Sequence, residues 1–186
     1  ARKLVFKDDK FTFDGHENKG IGNFKKTDMW HCSSISAINL SNKEILVIGL
    51  GESKIWNTIS NDEGKTWSDI AFLKDEGDKP RLVKSENKVL LFFWGFRDDK
   101  TWGITSIESV DGKNWINKRD IIRHIYSYDD IKRATSKHAD YGVLSICSSE
   151  DDKKIYLLYR LMTGKAASLY LMVGDYKGES WSKPIK

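Results

Sequence analysis

The chain has 186 residues, 12 % aromatic with seven Trp and only two Pro, a composition that excludes disorder and fits one domain with a substantial core. Its net charge of +4 comes from Lys spread along the chain, only seven of the 31 basic residues being Arg and no basic stripe emerging, which argues against a nucleic-acid partner. No window approaches the roughly 18 apolar residues of a membrane span, and two Cys are too few and too far apart for a metal site or a disulfide framework, so no membrane, metal or cofactor is expected.

A chain opening Ala1-Arg2-Lys3-Leu4, with neither an initiator Met nor an apolar leader, reads as processed or cut from something longer. Two short strand-like pieces come first, Lys3 to Phe6 and Lys10 to Phe13. Period-two patterning then gives three cycles of strands. Ser33 to Leu40, Glu44 to Leu50 and Lys54 to Ser60 form the first, closed by Trp67 to Leu73. Arg81 to Ser85, Lys88 to Phe96 and Thr101 to Ser109 form the second, closed by Trp115 to Ile122. A polar, Tyr-rich insertion over 123–141 follows, with a short helix expected around Asp129 to His138. Gly142 to Ser149, Lys154 to Met162 and Ala166 to Gly174 form the third cycle, after which the chain reaches Trp181. Cys32 and Cys147 fall in apolar strand-like runs and are expected as buried thiols.

Each cycle carries a similar turn before its last strand. Ser60-Asn61-Asp62-Glu63-Gly64-Lys65-Thr66-Trp67 fills every fixed position of the pattern SxDxGxTW, the Asp box, and Ser109-Val110-Asp111-Gly112-Lys113-Asn114-Trp115 and Asp175-Tyr176-Lys177-Gly178-Glu179-Ser180-Trp181 echo it. The Asp accepts backbone N–H bonds from its own turn, Gly takes the positive φ, the hydroxyl residue adds a local bond, and Trp plugs the sheet. Such a turn is a folding staple, so catalysis is not placed on Asp62, Asp111 or Asp175.

Four antiparallel strands per cycle make a propeller blade, so the fold class is all-β, a β-propeller with about three blades in this chain. Trp67 to Trp115 spans 48 residues and Trp115 to Trp181 spans 66, the surplus being the insertion. One domain, 1–186, then holds blades at approximately 31–73, 81–122 and 142–186, and the two opening pieces read as outer strands of a preceding blade. Roughly four blades is the lower limit for a closed ring. Either the chain belongs to a longer protein that holds the missing blades, or two copies pair edge to edge as a homodimer with a six-bladed ring.

Three stretches resemble the sialidase (neuraminidase) superfamily of Asp-box, or BNR-repeat, propellers: His31-Cys32-Ser33-Ser34-Ile35, the full box ending Gly64-Lys65-Thr66-Trp67-Ser68, and Gly178-Glu179-Ser180-Trp181-Ser182-Lys183-Pro184. With the strand cycle, the resemblance covers roughly Trp30 to Lys186. It implies a carbohydrate-recognising propeller that binds or hydrolyses an anionic glycan, outside the cell, as an exo-sialidase-type glycoside hydrolase. The alternatives are a non-catalytic lectin-like or protein-binding propeller, or an open scaffold for other subunits. The family's Arg-Ile-Pro motif is absent. The fragment nearest to it, Lys79-Pro80-Arg81-Leu82, scrambles the order.

In that superfamily ligands bind on the face opposite the boxes, which selects Trp30, His31, Glu52, Lys79, Arg81, Arg97, Asp98, Asp99, the insertion, and 160–165. Five of the seven Arg (Arg81, Arg97, Arg123, Arg133, Arg160) fall there, and Arg clamps carboxylates through two parallel bonds. Arg81, Arg97, Arg160, His31 and Trp30 are the substrate-binding candidates. A sialidase-like reaction needs a carboxylic acid to protonate the leaving oxygen and a Tyr activated by a Glu to attack the anomeric carbon. Asp98, Asp99 and Asp140 are candidates for the acid, Tyr126, Tyr128 and Tyr141 for the nucleophile, and Glu52 for its activator. Each has a plainer reading: Arg97 to Asp99 as a solvated hairpin tip, His31 as a ligand of a core carbonyl, Trp94 as packing. Arg160, between Tyr159 and Leu161, demands an anionic partner wherever it is buried.

Overall fold

A computed structural model of the chain describes residues 4–7, 10–13, 34–51, 54–96, 101–127, 142–149, 153–163 and 166–186. Every regular element among them is a β-strand, as the alternating patterning requires. Strands β1 (Leu4–Lys7) and β2 (Lys10–Phe13) pair as an antiparallel hairpin. An antiparallel series follows in chain order: β3 (Ile35–Asn39), β4 (Ile45–Gly51), β5 (Lys54–Ser60), β6 (Ala71–Ser85), β7 (Lys88–Phe96), β8 (Thr101–Ser109) and β9 (Ile116–Ser127). A separate sheet holds β10 (Gly142–Ser149), β11 (Lys154–Thr163) and β12 (Ala166–Asp175). No helix among the described residues is long and apolar enough to cross a membrane.

The seven-strand series is two four-stranded sheets that share β6. Its first part pairs with β5, Phe72 opposite Trp56, and its second part pairs with β7, from Gly77 opposite Gly95 to Ser85 opposite Lys88. The two separate strands expected at 67–73 and 81–85 are therefore one bent strand, and Lys79 and Arg81 lie inside it rather than in a connecting loop. The bend has a local cause. Lys79 adopts φ 52° and the register shifts between Asp78 and Arg81, so the chain turns from one sheet into the next without leaving the ladder. Strand β9 also outruns its expected end at Ile122, through three register shifts against β8, so 123–127 belong to a strand and not to the insertion. The helix expected over 129–138 lies outside the described residues. In the third sheet a fourth strand is reduced to two isolated bridges, Trp181 to Gly174 and Ile185 to Leu171.

Two apolar layers hold the three sheets together. Leu46, Ile48, Leu50, Ile55 and Ile59 of the first sheet meet Val89, Leu91, Phe93 and Ile107 of the second. Leu90, Phe92, Trp94 and Ile104 of the second sheet meet Ile155, Leu157, Tyr159 and Met172 of the third. Strand β7 serves both layers, odd positions on one side and even on the other, which is why 89–94 reads as an unbroken apolar run. The third sheet's far face carries Cys147, which is exposed; the expectation of a buried thiol fails there because no described element covers that side. Cys32 lies outside the described residues.

Candidate functional site

At one end of the sheets stand the three D–G–W turns. In the first, Thr66 donates its N–H to Asp62 Oδ1 (2.7 Å) and its hydroxyl to Oδ2 (2.6 Å). In the second, Asn114 does the same to Asp111 through its N–H (2.8 Å) and Nδ2 (2.7 Å). In the third, Ser180 gives its N–H (3.0 Å) and its hydroxyl to Asp175 Oδ2. These bonds favour the ionised form: the Thr66 hydroxyl and amide bring Asp62 down to about 2, the Asn114 and Lys113 amides lower Asp111 further, and at Asp175 the Ser180 and Glu179 bonds prevail over the penalty of burial. Ser60 and Ser109 also accept the N–H of Gly64 (2.7 Å) and Gly112 (2.9 Å). The third turn has no such Ser, and Gly178 bonds the Asp175 carbonyl instead (3.0 Å). Asp-to-Gly spacing varies while Gly-to-Trp spacing is constant; Trp67 and Trp181 donate Nε1 to the carbonyls of Gly64 (3.1 Å) and Gly178 (3.2 Å), whereas the Gly112 carbonyl accepts from Asn57 (2.7 Å). These carboxylates are occupied by their own turns.

Near this end, Glu108 accepts from Lys88 (2.7 Å), Asn117 (2.6 Å) and Arg119 (2.9 Å), and Arg119 reaches on to Glu179 of the third sheet (3.4 Å). Burial raises the Glu108 pKa, but these donors outweigh it and hold the carboxyl at about 2. Arg119, passed over as a ligand-face residue, is a tie between sheets.

The opposite rim is where β5, β8 and β12 begin and where β6 bends. The first strands of the first two sheets meet there. Arg81 Nη1 donates to Ser34 Oγ (2.5 Å) and to the Pro80 carbonyl (2.8 Å), and Ser36 Oγ accepts the Leu82 N–H (3.0 Å). Asp78 Oδ1 accepts the Lys79 N–H (2.6 Å), fixing the left-handed Lys79 beside Pro80. A non-glycine residue so placed costs on the order of 1 kcal/mol, and such positions gather at binding sites. A guanidinium has five N–H donors in a planar fork; Nη1 serves Ser34 and the Pro80 carbonyl, and the residue is half-buried at the rim.

Of the residues expected at the site, Arg81 stands at this rim, and Arg160 lies half-buried in β11 opposite Gly142, the first residue of β10. Lys79 is at the bend. Arg123 is exposed and pairs with Asp120 (3.3 Å). Trp94 is packing, 2 % exposed. Tyr126 is in β9 opposite Trp102 in β8. Glu52, Asp98, Asp99, Tyr141, Arg97, His31, Trp30, Tyr128, Asp140 and Arg133 lie outside the described residues. Ser34 and Asp78 were missed. The turn signature Gly77-Asp78-Lys79-Pro80 could have flagged Asp78, whereas nothing in the sequence pairs Ser34 with Arg81, 47 positions on. Tyr159, beside Arg160, is buried, and burial together with the charge of a neighbouring Tyr170 phenolate pushes its phenol up to about 12. Among the described residues no group of His, Cys, Asp and Glu could hold a metal ion.

No protein-family model matches the chain, and no curated protein does. Solved structures do. It superimposes on an α-L-arabinofuranosidase from Fusarium graminearum, crystallised with an iminosugar inhibitor, with a TM-score of 0.57 at 17 % identity over 88 % of this chain and 49 % of that one. An endo-arabinase from Bacteroides thetaiotaomicron gives 0.56 at 14 % identity, over 81 % and 54 %. The NanB sialidase from Streptococcus pneumoniae gives 0.50 at 14 % identity, over 78 % and 22 %. The likeness is one of fold. The chain spans about half the length of the arabinofuranosidase and the arabinase.

Proposed function

We propose that the chain is a sialidase-like β-propeller portion of about three Asp-box blades, near 31–73, 81–122 and 142–186, which recognises an anionic glycan outside the cell at the rim opposite its boxes. The observation that carries this is Arg81, whose half-buried guanidinium sits at that rim, on the first strand of the second sheet, steadied by Ser34 and the Pro80 carbonyl. Arg is the side chain suited to a sugar carboxylate, and Arg160 is the second cation assigned to it. Asp78 supplies an acceptor for sugar hydroxyls. In the hydrolytic version Asp98 or Asp99 protonates the leaving oxygen, and Tyr141, activated by Glu52, attacks the anomeric carbon. In the lectin version Arg81, Arg97, Arg160, His31 and Trp30 bind without turnover.

A neutral arabinose-containing glycan is the second reading, favoured by the fold shared with the arabinofuranosidase and the arabinase. Calorimetric titration with sialyllactose and with an arabino-oligosaccharide separates the two. Arg81→Ala is expected to weaken sialyllactose binding at least tenfold and Arg81→Lys to recover part of it. Arabino-oligosaccharide binding that ignores Arg81→Ala, with no sialyllactose binding, would leave the neutral reading. Release of fluorophore from a fluorogenic sialoside then divides hydrolase from lectin.

A further inference from the structure

The first strands of successive sheets approach one another near the D–G–W turns, and one position separates the two joints they make. Lys84 pairs with Val89 one step before the end of β6, and Ser148 pairs with Ile155 one step before the end of β10. Each lies two residues beyond an apolar side chain, Leu82 or Ile146, that packs on the preceding sheet, so both belong to that face. In the first joint the long Lys84 side chain crosses the gap, and its Nζ donates to the carbonyls of Leu40 (3.0 Å) and Asn39 (3.4 Å). In the second joint a short Ser stands in that place. A cavity of about 380 Å³ opens there, lined by Glu86 of the second sheet and by Ser148, Ser149 and Lys153 of the third.

The lining suits an anion. Lys153 and Lys154 both border the cavity and Glu86 is the acidic residue among the described lining, while Lys177, with Nζ 5.7 Å from the centre of the Tyr176 ring, adds a positive charge beside it. Among the described residues Lys153 enters no ion pair, whereas Lys88, Lys118 and Arg119 all do. Lys153 and Glu86 are also left-handed, at φ 51° and 49°. Gly takes such a position without strain, as it does in the D–G–W turns, so each of these charged side chains is held against a backbone cost of about 1 kcal/mol. The volume falls within the roughly 300–1,000 Å³ of small-molecule sites, more than a bare ion needs. Ile155 and Tyr176 complete the lining with apolar surface of the kind a sugar ring rests on.

We propose that this cavity binds a sulfate or phosphate ester of a small sugar. Its anionic group is held by Lys153 and Lys154 with the Ser148 and Ser149 hydroxyls, and its ring lies against Ile155 and Tyr176. The site is at the opposite end of the sheets from Arg81 and stands whether or not the rim binds a glycan.

Calorimetric titration of the full chain at low salt tests it, with galactose 6-sulfate and galactose 6-phosphate as probes and inorganic sulfate, inorganic phosphate and free galactose as controls. Saturable binding of an ester is expected, and the tighter of the two esters identifies the anion. Lys153→Gln is expected to weaken it about fivefold, the loss of one charge-assisted bond. Ser148→Leu, which fills the cavity without adding charge, is expected to abolish it. Both positions are exposed, and circular dichroism verifies the fold of each variant. Four results would overturn the proposal: no saturable binding of either ester; a bare ion that binds as tightly as its ester; binding indifferent to both variants; or binding lost in Arg81→Ala, which would move it to the rim. The first of these would mean that the acidic run Glu150-Asp151-Asp152, between Ser149 and Lys153 in the sequence, outweighs the lysines.

Discussion

The second sheet is covered on both faces and the third on one, and their central strands show what that difference does to a sequence. Strand β7 spends every residue from Val89 to Trp94 on one or other apolar layer, all six at 2 % exposure or less. Strand β11 buries Ile155, Leu157 and Tyr159 as deeply, but Tyr156, Leu158 and Arg160 between them remain half-buried. Composition hardly separates the two strands. What separates them is whether a described neighbour covers the face, which the alternate positions of β11 do not have.

The contrast is broken most severely in the second sheet. Leu91→Ala removes a fully buried side chain from the layer between the first and second sheets and is expected to cost about 3 kcal/mol, read as a lowered urea midpoint. Leu169→Ala on the open face is expected to cost less than about 0.5 kcal/mol. Equal losses would mean that the third sheet's outer face is covered after all.

Next comes the ionic cluster within the second sheet. Glu108→Gln leaves Lys88 and Arg119 without their carboxylate, an expected loss of about 2 kcal/mol at neutral pH. The pH dependence gives a sharper reading. The Glu108 carboxyl titrates near 2 when folded, against an ordinary 4.5, so its stabilisation is fully present above about 4.5 and is lost as the pH falls towards 2. Urea midpoints measured across that window should fall less steeply for Glu108→Gln than for the wild type. Parallel curves would show that another group carries the acid sensitivity.

The sequence made some of this legible and hid the rest for physical reasons. Strands β7, β8 and β10 end where the patterning places them, because a tight polar turn or a D–G–W turn marks their boundaries. The bend of β6 was hidden: a left-handed Lys before a Pro announces a turn, and a turn suggests two strands rather than one shared by two sheets. At the rim, Arg81 was selected by its place in the strand cycle, whereas its anchor Ser34 comes from a different sheet. Position along a strand is periodic and so can be read locally. A partner 47 residues away is fixed only by how sheets stack.

A difference of about 1 kcal/mol probes the turns themselves, whose glycines all adopt positive φ (86°, 70° and 72° at Gly64, Gly112 and Gly178). Any alanine there carries the left-handed penalty of about 1 kcal/mol. At Gly64 the new Cβ would find only ordinary contacts at 3.6 and 3.7 Å, so the penalty stands nearly alone. At Gly178 the Cβ would also press on Leu90 Cδ1 at 2.9 Å, inside a packed layer that yields little, and the expected total rises to about 2 kcal/mol. The difference between Gly178→Ala and Gly64→Ala therefore measures insertion of a turn into a neighbouring sheet, with backbone strain cancelled.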